Sequence, residues 1–378
     1  MRILILTHNF LDGFGGGAYG ARAYINAFAA LYEDVTLLYP SRTREEALPS
    51  VAPSIRKRPV VDLRSKWKKI WDLRMRGILH RYEKVFMEIL EKEHFDVIVF
   101  QNSKSSSRLI PLAKAHGARV VVIHDNFELE YTRDNALLPE WILQRRAIRK
   151  TESDAIQLAD LNLVLTQQDD QLFRQVYAPS AQAEIQVLGA FEFQHREDLD
   201  WPLVDTPTFL ITGNLGVRQT VESLLPWLDG CWPLVKAHIP EARLIVAGKN
   251  PSAGLRQRIA AAGAELVDTP PDMDAVLARG RFFVCPVSKG GGIKLRVMDG
   301  LRAGLPALVH EVSARGYEAF QGLALFTYHN PDSFGKALET MLSTPIERKT
   351  VQGLFREQFS FEAGVARLKK ILSRYAWS

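Results

Sequence analysis

Short unbroken runs of apolar, often β-branched residues recur in the first half of the chain at positions 3–7, 35–39, 96–100, 119–123, 161–165 and 185–188. A strand with one wet face alternates apolar and polar positions, so unbroken runs predict strands buried on both faces. Between them, apolar residues recurring every three or four positions predict helices over 18–31, 64–92, 105–116, 140–158 and 168–176. The pattern stops after Leu188. From Gly189 to Pro207 the chain carries acidic residues, Trp201-Pro202 and Thr206-Pro207, which predicts a linker. It then restarts, with strands expected at 209–212, 243–247, 265–267, 282–286 and 307–309. Strand–helix alternation implies parallel sheets covered on both faces. Two such series imply an α/β chain of two Rossmann-like, doubly wound domains, expected at 1–195 and 205–360.

Composition changes this picture little. A chain of 378 residues is long for one core, and 47% hydrophobic with 24% charged residues is ordinary for a globular protein. Cys231 and Cys285 stand far apart without a CxxC pair, which suits a reducing cytosol and argues against a zinc site or disulfide scaffold. Cys285 sits in an apolar run and reads as a buried hydrophobe. The apolar run at the N-terminus is too short for a signal-peptide core, and no stretch approaches the roughly 18 apolar residues of a membrane span.

Charge adds one feature. The net charge of +5 is concentrated between 56 and 84, where Arg56, Lys57, Arg58, Arg64, Lys66, Lys68 and Lys69 meet few acids. Trp67 and Trp71 lie one turn apart in this segment, a combination that attaches proteins to anionic lipid surfaces. A solvated helix with its tryptophans in the core is the plain alternative. No nucleic-acid motif accompanies the charge, so nucleic acid is not an expected partner.

Candidate chemistry lies in the loops after strands, because ligands of doubly wound sheets bind at the carboxyl ends of strands. The first loop, Thr7 to Gly20, is glycine-rich, and Gly15-x-Gly17-x-x-Gly20 formally matches a dinucleotide fingerprint. The acid expected after the second strand is missing: that strand ends Leu38-Tyr39-Pro40. Gly15, Gly16 and Gly17 remain able to let backbone approach an anionic group, with a flexible turn as the plain alternative. A second loop follows Pro286, with Ser288 and then Gly290, Gly291 and Gly292. The helix after it is expected to open near Ile293 and close at Gly304. Lys294 can add a point charge toward phosphates, and Asp299, one turn on, can bind vicinal hydroxyls. His124 ends a strand and is followed by Asp125, Asn126, Glu128 and Glu130; it reads as a site residue or as a satisfied polar residue. His8, near the glycine-rich loop, is a weaker candidate. Glu128 and Glu130 meet an acceptor or cap a turn. Two Asp-x-Asp pairs occur, Asp198/Asp200 in the linker and Asp272/Asp274 after two prolines. Asp272 is placed as a helix N-cap, so no metal is expected.

The segment from Gly290 to Pro306, GGGIKLRVMDGLRAGLP, resembles the donor motif of the retaining GT-B glycosyltransferases of the family 4 type, which build lipopolysaccharide, capsule and related glycans. Ile211 to Leu215 resembles the strand and turn opening that family's second domain, Leu244 to Lys249 its next strand, and Phe359 to Glu362 the motif before its C-terminal helix. Val121 to Glu128 resembles the strand ending in a histidine that contacts the donor sugar. The resemblance implies domains facing across a cleft, with a C-terminal helix over about 363–378 packing back on the first. It implies a nucleotide-sugar donor (UDP- or GDP-linked) and no further cofactor, held by Gly15, Gly16, Gly17, Asn214, Lys249, Ser288, the 290–293 loop and Asp299. Catalytic roles fall on His124, Lys294 and Arg218. A glycan or lipid-linked acceptor is implied, as is work at the cytoplasmic face of a membrane.

The chain departs from the family's pattern at its charges. The motif's first acid falls on Gly291, and its second on Asp299, a shorter carboxylate than the usual Glu. The Arg and Lys after the second domain's first strand fall on Asn214 and Gln219; Lys294 and Arg218, one place off, are read as replacement cations. A sugar transferase is the leading expectation. A nucleotide-sugar epimerase on the same scaffold and a catalytically silent nucleotide-binding GT-B subunit are the others. The epimerase would want more paired carboxylates and histidines than the chain offers.

Overall fold

A computed structural model describes residues 1–13, 15–42, 48–62, 64–76, 82–104, 106–180, 183–197, 200 and 204–375. The chain divides into two compact units, Met1–His195 with Phe361–Ser378, and Arg196–Ser360.

The first unit is a parallel sheet of seven strands: β1 (Arg2–Thr7), β2 (Asp34–Pro40), β3 (Arg56–Val60), β4 (Val97–Gln101), β5 (Arg119–Ile123), β6 (Leu161–Val164) and β7 (Ile185–Val187), ordered β3-β2-β1-β4-β5-β6-β7. Around it run α1 (Gly16–Leu31), α2 (Lys66–Arg76), α3 (Glu83–Leu90), α4 (Ser106–Ala115), α5 (Glu128–Asn135), α6 (Leu138–Leu158) and α7 (Gln167–Tyr177). Buried Ile98, Phe100, Val120 and Val122 pack under Phe86 and Ile110, while Val164 and Phe173 join Phe127 and Ile156 in a second cluster.

The second unit is a parallel sheet of six strands: β8 (Thr208–Asn214), β9 (Arg243–Lys249), β10 (Glu265–Asp268), β11 (Phe282–Cys285), β12 (Ala307–His310) and β13 (Leu325–Tyr328), ordered β10-β9-β8-β11-β12-β13. Its helices are α8 (Arg218–Gly230), α9 (Trp232–His238), α10 (Ala253–Ala261), α11 (Met273–Leu277), α12 (Arg296–Arg302), α13 (Pro331–Ser343) and α14 (Arg348–Phe359). Trp227, Trp232, Phe209 and Phe334 fill one face of its core. The final helix, α15 (Phe361–Ser373), belongs to the first unit and packs on α1. There Arg367 donates to the carbonyls of Leu188 (2.5 Å) and Ala190 (3.2 Å).

The strands expected from apolar runs form within one or two residues of their expected bounds. The elements not expected are β3, α5, β13, α13 and α14. β3 (RKRPV) has no apolar run; it is an edge strand, where Pro59 does not interrupt a second ladder. β13 is the short edge strand of the second sheet. α5 (ELEYTRDN) has no apolar stripe. The expected 64–92 helix is divided. α3 buries Phe86 and Leu90, whereas α2 leaves Trp67 81% and Trp71 52% exposed, so its tryptophans are not core residues. Residues 77–81 of that stretch lie outside the described residues. Asp72 of α2 is buried and accepts from Arg64 at 2.9 Å.

Candidate functional site

In the first unit, polar side chains meet at the carboxyl ends of three adjacent strands. Thr7, ending β1, donates its hydroxyl to Gln101 Oε1 at 2.5 Å, and Asn9 Nδ2 donates to the same oxygen at 3.0 Å. Gln101, ending β4, donates its amide to Asp125, just past β5. Asn102, in the left-handed region at φ 77°, donates to Glu128 Oε1 at 2.9 Å. Burial lifts the Asp125 carboxyl to about 6; the Gln101 bond pulls against that and Glu128 adds to it. The glycine-rich loop meets this cluster at Asn9, beside Gly17. Gly15 is the N-cap of α1, and Arg22 holds the loop by donating to the carbonyls of Leu11 and Gly13, both at 2.9 Å. Gly16 and Gly17 are exposed in the first turn, where a Cβ on Gly17 would stand 2.7 Å from Asn9 Oδ1. Phe14 lies outside the described residues.

His124 is only 2% exposed. Its Nε2 lies 2.9 Å from Asn162 Oδ1, and its ring stands 4.5 Å from that of Phe173. Asn162 Nδ2 donates to Ile156 O, which fixes the amide so that Oδ1 faces the imidazole. Nε2 therefore carries the proton. Burial drops the pKa of His124 to about 4, with the Asn162 bond opposing the drop, so the ring is neutral across the physiological range. His8 is also buried, with its ring 5.0 Å from that of Tyr82.

Glu152 of α6 explains how the polar helix α5 forms. Its carboxyl oxygens accept from the backbone N–H of Glu128 at 2.6 Å and from the Tyr177 hydroxyl at 2.7 Å, capping α5 from another helix. Burial pushes the Glu152 carboxyl up to about 8; Tyr177 pulls it down and Glu128 pushes it up. A group whose folded pKa exceeds its unfolded value near 4.5 stabilises the fold fully below that value. The contribution is lost as pH rises through about 8. Calorimetric unfolding of the first unit is therefore expected to shift to lower temperature between about pH 5 and pH 8.5. The neutral isostere Glu152→Gln is expected to flatten that slope, and an unchanged slope would show that Glu152 titrates alike in both states.

In the second unit the glycine loop after β11 is a built structure. Gly290 and Gly292 take left-handed φ values of 83° and 68°, which glycine allows without strain. Lys294, 9% exposed, turns back on the loop and donates Nζ to the carbonyls of Gly290 (2.8 Å), Gly291 (2.8 Å) and Gly292 (3.3 Å). In this arrangement the ammonium organises the loop. The turn delays the helix, which begins at Arg296 and not near Ile293. Half-buried Ile293 precedes it, and half-buried Asp299 sits in its first turn.

The loop is tied to the first turns of α8. Gln219 donates its side-chain amide to Lys289 O, and Ser223 Oγ accepts from Ser288 N at 3.1 Å. Asn214, ending β8, accepts from Gly216 N at 3.1 Å and pairs in register with Lys249 of β9. Arg218 is exposed and paired with Glu222 at 2.5 Å, so its charge is already met within its own helix. Glu222 also takes Lys289 at 3.1 Å. Arg296 sends its guanidinium to the end of β8, where it donates to Thr212 O (3.3 Å) and Thr220 Oγ1 (3.1 Å). Asp272 caps α11 as expected, accepting from Asp274 N at 2.9 Å, and Asp274 is bound by Arg196 and Arg302. Asp198 lies outside the described residues.

Sequence reasoning did not single out Asn9, Gln101 or Asn102, although polar residues directly after a buried strand are a readable signal. Arg296 carries no such signal, because its destination lies 84 positions away.

Residues 206–344 match the family model for group 1 glycosyl transferases. No curated protein sequence matches the chain. Among solved structures the chain is similar to the apo form of the lipopolysaccharide outer core galactosyltransferase WaaB, with a TM-score of 0.68 and 13% identity over 99% of this chain and 100% of that one. Sucrose-phosphate synthase from Thermosynechococcus elongatus aligns with a TM-score of 0.71 and 13% identity over 100% of both chains. Anabaena HepE in complex with UDP and glucose aligns with a TM-score of 0.65 and 14% identity over 99% of both. The fold is GT-B, and the match to the group 1 glycosyl transferase model lies within the second unit.

Proposed function

We propose that the chain is a glycosyltransferase that takes a sugar from a nucleoside-diphosphate donor bound at the strand ends of the second unit. The observation that carries this reading is the loop from Ser288 to Lys294. Inside the segment matched to group 1 glycosyl transferases, its left-handed glycines and buried lysine hold a backbone cradle against the first turns of α8. Such a cradle accepts anionic oxygens through backbone N–H groups. Asp299, in the first turn of α12, is assigned to the ribose hydroxyls. In the reaction the bond between the anomeric carbon and the diphosphate oxygen breaks with its electron pair leaving on phosphate. An acceptor hydroxyl then bonds to that carbon and gives up its proton. Retention of configuration follows the family resemblance. The carboxylates of Asp272 and Asp274 are engaged with a helix end and two arginines, so the reading runs without a metal. The strand-end cluster of the first unit, with Asp125 and Asn102, is assigned to the hydroxyl-rich acceptor.

A panel of UDP-, GDP- and CMP-sugars, followed by mass for release of the nucleotide, tests this. Turnover of one donor supports the transferase. Binding without turnover favours the silent subunit, which Gly291 in place of an acid suggests. Neither binding nor turnover sinks both.

We further propose a glycan or lipid-linked acceptor of bacterial surface polysaccharide synthesis, and peripheral attachment to the cytoplasmic face of a membrane. No described helix is long and apolar enough to cross a membrane. The support is α2, whose exposed Trp67 and Trp71 stand among Lys66, Lys68 and Lys69. The protein is expected to sediment with anionic vesicles at low salt and to release at high salt. Replacing the three lysines by Glu should abolish sedimentation, and failure of wild type to bind at low salt overturns attachment.

A further inference from the structure

We infer that Arg296 is the cation that meets the donor's diphosphate, an inference that rests on the reading of the second unit as the donor site. Its guanidinium is half-buried where β8 ends and α8 begins, held by one carbonyl and one hydroxyl. Among the described residues it has no carboxylate partner. The neighbouring cations are committed elsewhere: Arg218 and Lys289 to Glu222, Lys294 to the carbonyls of its own loop. Half-burying a charge without a counter-ion is unfavourable, and a site that keeps one is matched to an anion that arrives with a ligand.

The surroundings fit that anion. Gly213, at φ 145°, leaves the space the guanidinium occupies, since a Cβ there would stand 2.6 Å from Arg296 Cζ. Thr220, which Arg296 touches, lies in the first turn of α8, whose free N–H groups favour negative charge. The glycine loop borders the same turns through Gln219 and Ser223. The bonds to Thr212 and Thr220 use two of five N–H groups, leaving a fork that suits bidentate pairing with phosphate oxygens. Asn214 and Gln219, uncharged, spend their amides on the turn at Gly216 and on Lys289 O. Arg296 of α12 brings its charge to this corner, where Lys249 of β9 ends beside Asn214.

Calorimetry of wild type and Arg296→Gln with UDP, GDP and the two nucleosides tests this. The variant is expected to bind the diphosphate about tenfold more weakly or worse, with nucleoside affinity within about twofold of wild type. Its unliganded thermal midpoint should be unchanged or raised. A structural role would instead lower the midpoint and weaken nucleoside and diphosphate together. Should the midpoint fall, Arg296→Lys, which keeps charge without the fork, decides: intermediate diphosphate affinity supports the assignment, and affinity equal to that of Arg296→Gln overturns it. Equal diphosphate affinity in wild type and a stable Arg296→Gln also overturns it. Wild type that binds neither UDP nor GDP overturns the donor-site reading, and Arg296's role with it.

Discussion

Lys294→Met is expected to destabilise the second unit by about 3 kcal/mol, because it removes one ammonium from three buried carbonyls. Bonds to a charged donor contribute about 1.5–3 kcal/mol each; the variant loses less than their sum because the loop relaxes and water reaches some of the carbonyls. Urea unfolding followed by the fluorescence of buried Trp227 and Trp232 reads this as a lower midpoint at unchanged slope. Nucleotide affinity should fall in parallel, since the cradle exists only while the loop is held. A normal midpoint with weakened nucleotide binding would instead return Lys294 to the role of a phosphate cation. An unchanged midpoint and unchanged binding would remove it from both roles. Lys294→Arg should not rescue, because a planar fork cannot converge on three carbonyls as a tetrahedral ammonium does.

Gly248→Ala is expected to cost the same unit about 3 kcal/mol or more, some 6–12 °C in its thermal midpoint. Gly248 of β9 pairs in register with Gly213 of β8, and an added Cβ would fall on the Gly213 carbonyl. Backbone cannot swing aside as a side chain can. The Arg296 guanidinium lies against Gly213, where a Cβ would meet its Cζ at 2.6 Å. The matched control is Gly254→Ala in α10, where nothing lies within 4 Å of the new Cβ. There alanine should stabilise by about 0.5–1 kcal/mol through helix propensity. Equal midpoints for Gly248→Ala and wild type would show that the two strands separate at their ends without cost.

The strands were legible because a parallel strand buried on both faces must be apolar throughout, as Val120–Ile123 and Leu244–Ala247 are. The elements that escaped were those held by something outside themselves. α5 is polar and depends on the Glu152 carboxylate from α6; β3 is charged and depends on pairing with β2. In the candidate site, the turn at Gly290–Gly292 was readable because turn chemistry is local. The side-chain destinations were not. Lys294 looked like a free cation in sequence and is bonded to its own loop, while Arg296, on the same turn of chain, travels to a strand 84 positions earlier. Periodicity orders a backbone; it does not say which of two neighbouring cations finds the carbonyls.

The return of α15 to the first unit fixes an order of events during synthesis. The second unit, Arg196–Ser360, is an insertion within the first, and every residue it needs is made before Phe361 is. The first unit begins at Met1 yet lacks part of its packing until the last helix emerges: Gly364 lies so close to Phe191 that a Cβ would overlap its ring, and Arg367 occupies the carbonyls after β7. At about 5–20 residues per second, the insertion of 165 residues takes on the order of ten to thirty seconds to appear. For that interval the earlier-made half, with α1 still uncovered by α15, waits on the ribosome while the later-made half completes its chain first.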